Sequence, residues 1–99
     1  MKATNKVDNI IANNAKPHDF VGVRKEIAGE ISGINPAGVP WNHVKEMQQS
    51  VTGLTKTANS IRNSLKNPNL NSNVRTYMEA QLKRSENMIK KMNGALSGN

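Results

Sequence analysis

Apolar residues recur three and four positions apart along the second half of the chain. Val44, Met47, Val51, Leu54, Ala58, Ile61 and Leu65 make one series, and Met78, Leu82, Ile89, Met92 and Leu96, with Ser85 at the seam position between Leu82 and Ile89, make another. Each series is the narrow seam of a helix that packs against another helix, with Gly53 a single tolerated flaw in the first. Between them, Asn67-Pro68-Asn69-Leu70-Asn71-Ser72-Asn73 supplies caps and a turn: proline ends one helix, and Ser72 or Asn73 opens the next. The pattern predicts an antiparallel helical hairpin with arms of about 25 and 22 residues.

The first half is less regular. Phe20, Val23, Ile27 and Ile31 are spaced for a short helix over roughly residues 19–30, capped by Asp19 and weakened by Gly22 and Gly29. Residues 32–40 are dense in glycine and proline and read as a loop that delivers the chain to Trp41. Residues 1–16 are mostly polar, with Val7, Ile10 and Ile11 as exceptions, and read as a leader or linker with at most a short helix. The expected fold class is mainly α. A short N-terminal helix and a Gly/Pro loop would pack on a long helical hairpin, with residues 17–99 forming a single domain.

Composition narrows the function. Fourteen Lys and Arg against seven Asp and Glu give a net charge of +7, which suits an anionic partner: nucleic acid, an acidic protein or a membrane surface. No segment is apolar and long enough to cross a bilayer, and the N-terminus lacks a secretory apolar stretch. Export is therefore expected to use a carrier or a parent polypeptide, with no membrane insertion by this domain. The chain has no cysteine, which excludes a disulfide framework, a thiolate zinc site and a thiol nucleophile. Phosphate-loop glycines, serine-nucleophile motifs and zinc-ligand spacings are also missing.

Candidate chemistry gathers at Pro40-Trp41-Asn42-His43-Val44-Lys45-Glu46. Asn42 is a good N-cap, which puts His43 at the first helical position, beside backbone amides that attract phosphate. Glu46, three residues on, could orient the imidazole. The same residues also fit a bland account, in which Trp41 packs on the core and Glu46 complements the helix dipole. A nuclease working without metal needs a base for the ribose 2′-hydroxyl, an acid for the leaving oxygen, and cations for the developing charge. His43 and His18 are candidates for the proton-transfer pair and Arg24, Lys25 and Lys45 for the cations, provided the loop brings the two helix starts together. A metal-dependent alternative would use Asp19, Glu26 and Glu30. The hairpin is basic off its seams, at Lys56, Arg62, Lys66, Arg75, Lys83, Arg84, Lys90 and Lys91. This one-signed surface fits either a phosphate-tracking face or an acidic partner; for RNA the expected contacts are Trp41, Lys25, Lys45, Arg62, Lys83 and Arg84.

Four stretches carry a resemblance: His18 to Glu30 (HDFVGVRKEIAGE), Pro40 to Met47 (PWNHVKEM), Gly53-Leu54, and the Leu65-Lys66-Asn67-Pro68-Asn69-Leu70 turn. Together, from about residue 17 onward, they resemble the polymorphic toxin type 28 domain of bacterial contact-dependent inhibition and related secreted toxins. His18, Arg24, Glu26, Trp41, His43 and Glu46 match positions of that pattern, whereas Asn42 stands where an acidic residue is common and Val39 in a loop often richer in glycine. The resemblance implies a ribonuclease toxin acting on transfer RNA. It would be delivered to the target-cell cytoplasm as part of a larger secreted protein and neutralised by a cognate immunity protein; some members act only with elongation factor Tu. The resulting expectation is metal-independent cleavage near the 3′ end of transfer RNA, without a cofactor. In it His43 and His18 move protons, Arg24 and Lys25 stabilise charge, and Glu46 orients His43. A non-catalytic basic module that grips nucleic acid or an acidic protein is the alternative. A helical-hairpin partner of an export system ranks last, because Trp41 precedes the first long helix instead of lying in the turn.

Overall fold

The computed structural model describes residues 2–30, 33–34 and 36–98, so Ile31 of the expected apolar series and Ser32 and Asn35 of the loop lie outside the described residues. Four helices occur among the described residues, α1 (Lys2–Asn14), α2 (Pro17–Ile27), α3 (His43–Leu65) and α4 (Ser72–Leu96). None of them is long and apolar enough to cross a membrane.

The seams of α3 and α4 face each other. Met47, Leu54, Ala58 and Ile61 are buried on α3, and Met78, Ser85, Met92 and Ala95 on α4. The turn is closed by polar side chains. Asn67 and Asn71 accept hydrogen bonds from the backbone amides of Asn69 and Asn73. The Arg75 guanidinium donates to the carbonyls of Leu65 and Asn67 at 2.9 and 2.7 Å, satisfying acceptors that the end of α3 would leave unpaired.

The N-terminal segment corrects the expectation of a leader with at most a short helix. It forms the 13-residue helix α1, whose Val7 is fully buried and whose Ile10 and Ile11 pack on the same core. Val7, Ile10 and Ile11 stand three and four apart, enough for one apolar stripe once α3 is there to receive it. Gly53 is part of that reception: a Cβ there would lie 3.2 Å from Ile10 Cδ1, so its lack of a side chain lets α1 approach. Asp8 and Arg84 add an ion pair between α1 and α4. Val7→Ala is expected to lower the unfolding free energy by about 2 kcal/mol in urea melts; an unchanged midpoint would show that α1 contributes little to the fold.

Helix α2 begins two residues earlier than expected and ends three earlier. Pro17, with its fixed φ and missing N–H, suits the first turn. Asp19 sits inside that turn and not at the cap, where its carboxylate accepts the Lys16 amide at 2.9 Å. Gly29, at φ +85°, lies just beyond the helix end. The following loop folds back on itself through an Ile34–Pro40 bridge and a 2.9 Å bond from the Trp41 amide to the Gly33 carbonyl. Its effect is to set the start of α3 against the flank of α2.

Candidate active site

His18, Gly22 and Glu26 are spaced four residues apart on α2, so they form one stripe along its surface. His43, the first residue of α3, lies against that stripe. A Cβ on Gly22 would come within 2.5 Å of His43 Nδ1 and 2.6 Å of Cγ; only glycine lets the imidazole lie this close to the helix.

Glu26 holds both the ring and the helix start. One carboxylate oxygen accepts the His43 amide at 2.9 Å and faces Nδ1 at 2.7 Å, and the other accepts the Val44 amide at 2.9 Å. A carboxylate only accepts, so Nδ1 carries the proton in this pair, and Nε2 is the basic nitrogen of the neutral ring. The Asn42 side chain accepts the Lys45 amide at 3.0 Å, as its capping role required, and the Asn42 carbonyl accepts the Glu46 amide. The first four amides of α3 therefore have protein acceptors. This corrects the expectation that they attract phosphate: Glu26, seventeen residues back, already supplies the anion.

The ring of His43 borders an open cleft of about 580 Å³, lined also by His18, Lys25, Trp41, Glu46 and, from α1, Asn13. The two imidazoles meet edge to face with centroids 6.4 Å apart. The exposed His18 has Nε2 at 3.2 Å from Asp19, whose side chain is largely buried. Trp41 does not pack on the core. It is 41% exposed, and its ring centroid lies 6.1 Å from that of His43.

The expected site residues divide accordingly. His18, Lys25, Trp41, His43 and Glu46 share the cleft, and Glu26 lies behind His43. The carboxylate 2.7 Å from His43 Nδ1 is that of Glu26, and the expected Glu46 lines the cleft. Arg24, one residue from Lys25, is turned about 100° around the helix and lines a separate groove with Phe20 and Lys91; this corrects its expected place beside the histidines. Arg62 pairs with Glu86 at 3.5 Å and Arg84 with Asp8, while Lys83 borders a groove on α4. Lys45 is exposed beyond the cleft lining. Asp19, Glu26 and Glu30 do not converge: no cluster of three potential ligands able to hold a metal occurs among the described residues. Asn13 and Gly22 were not anticipated. The four-residue spacing of His18, Gly22 and Glu26 was the available signal for Gly22, and Asn13 had none.

Glu26→Gln tests the clamp. An amide presents one oxygen where the carboxylate presents two, and its NH₂ would face another donor. The substitution is expected to lower the unfolding free energy by about 2 kcal/mol, read from urea melts. A parent-like unfolding midpoint would dismiss the clamp.

The small helical bundle, with a carboxylate-held histidine at an open cleft, has relatives among toxins. The chain belongs to the bacterial toxin 28 family, whose model matches residues 1–98. The match takes in α1 and so begins earlier than the resemblance read from residue 17. The chain is also 32% identical over 96 residues to the tRNA nuclease CdiA of Escherichia coli O6:K15:H31 (strain 536 / UPEC), an alignment spanning 97% of this chain and 3% of that protein.

Proposed function

We propose that this toxin domain is a ribonuclease that cuts transfer RNA by attack of a ribose 2′-hydroxyl on the adjacent phosphate. The observation that carries the reading is the Glu26–His43 pair, held at 2.7 Å at the edge of a cleft that also contains His18 and Lys25. Kinship with a tRNA nuclease supports the choice of substrate.

His43 Nε2 takes the proton of the 2′-hydroxyl, and the resulting oxygen bonds to phosphorus. The bond from phosphorus to the 5′-oxygen breaks, and His18, protonated, gives that oxygen its proton. The products are a 2′,3′-cyclic phosphate and a 5′-hydroxyl. Glu26 keeps the His43 ring in one tautomer and stabilises the imidazolium formed, Lys25 offsets charge on the phosphorane, and Trp41 offers a face for a base to stack. An open cleft of this shape suits a single-stranded stretch, the 3′ end of transfer RNA being the first to map. In cells the domain would arrive as part of a larger secreted toxin and be restrained by an immunity protein, with elongation factor Tu as an assisting partner.

The test is incubation of the purified chain with total RNA in EDTA, with and without GTP-loaded elongation factor Tu, followed by mapping of new 3′ ends. Discrete cuts in transfer RNA with cyclic-phosphate termini are expected. Cuts only after magnesium is restored would shift the chemistry to the carboxylates, and binding without cuts would leave a non-catalytic module.

A further inference from the structure

We infer that the groove between α2 and α4, on the side of α2 away from the histidines, binds a backbone phosphate of the RNA; this rests on the ribonuclease reading above. Arg24 reaches it from α2 and Lys90 and Lys91 from α4, around a space of about 290 Å³ bordered by Phe20 and Gly94. The Lys91 ammonium stands 4.6 Å from the centroid of the buried Phe20 ring, a cation–π contact that restrains its long stem.

None of these three cations has a carboxylate within ion-pair distance among the described residues, whereas Arg62 and Arg84 each have one. Three like charges around one small groove repel one another, and a phosphate relieves that repulsion while accepting from the planar guanidinium.

Position favours RNA over an acidic protein. The groove and the cleft lie on different faces of α2, which shows Lys25 to the cleft and Arg24 to the groove. A helix with its side chains is about 10 Å across, a width that a short run of nucleotides in a single strand spans. A strand with its scissile phosphate at His43 would therefore cross α2 and bring a later phosphate into the groove. Lys91 also borders the next groove along α4, with Lys83, so the cationic track continues.

Gly94 provides a clean test, since a Cβ there meets nothing within 4 Å. Gly94→Glu places a carboxylate in the groove and Gly94→Gln a neutral side chain of similar size. Both are compared in a His43→Ala background, so that RNA is not consumed, by fluorescence anisotropy with bulk transfer RNA over a potassium chloride series. Gly94→Glu is expected to bind about tenfold more weakly than Gly94→Gln. Arg24→Gln with Lys90→Gln should reduce the slope of log affinity against log salt by about 0.7 for each cation removed. Equal affinities for the two Gly94 variants, or an unchanged slope in folded protein, would overturn the assignment. So would intact RNA binding with lost neutralisation by an acidic inhibitor, which would give the groove to a protein partner. Failure of the ribonuclease reading is separate: parent protein that binds RNA in a salt-dependent manner and cuts none.

Discussion

His43→Ala is expected to reduce transfer RNA cleavage by about a thousandfold or more while leaving the helical circular-dichroism spectrum intact. Positioned proton transfer is commonly worth about 10² to 10⁴ in rate, and His43 is placed to supply it. The fold should survive, because Glu26 keeps its two backbone donors at residues 43 and 44 when the ring is removed. Alanine is also a good helix former at this position. Cleavage within a few fold of the parent would remove His43 from the chemistry, whatever the spectrum shows.

The hairpin was legible because its signal is periodic and local. Met47, Leu54, Ile61, Met78 and Met92 are fully or almost fully buried, as three- and four-residue spacing requires. Helix α1 was not, since three apolar residues in a polar segment make a helix only when another surface covers them. That surface, opened by Gly53, lies more than forty residues away. The histidines and Trp41 could be picked out by residue type, but their partners could not. Glu26 looked like one carboxylate among several until the loop brought it against the start of α3, where it took the amides expected for phosphate. Arg24 and Lys25 are neighbours in sequence yet serve different grooves, because one helical step carries a side chain about 100° around the axis.

Gly22→Ala is expected to lower cleavage by about a hundredfold although residue 22 has no chemistry of its own. A methyl group there would sit 2.5 Å from His43 Nδ1, 2.6 Å from Cγ and 2.9 Å from Cε1, so the ring must move away from α2. Glu26 holds that ring by a 2.7 Å bond, and a shift of about 1 Å breaks the bond and misdirects Nε2, enough for a hundredfold loss. Stability separates this account from a general weakening of α2. In a helix interior, alanine is favoured over glycine by about 1 kcal/mol, so without the imidazole the substitution should stabilise the protein. Gly22→Ala is therefore expected to be stabilising by about that amount in a His43→Ala background and neutral or destabilising in the parent, a coupling that a double-mutant cycle in urea measures directly. The same change in both backgrounds would mean that the ring does not rest on Gly22, and the orientation of His43 by α2 would fall with it.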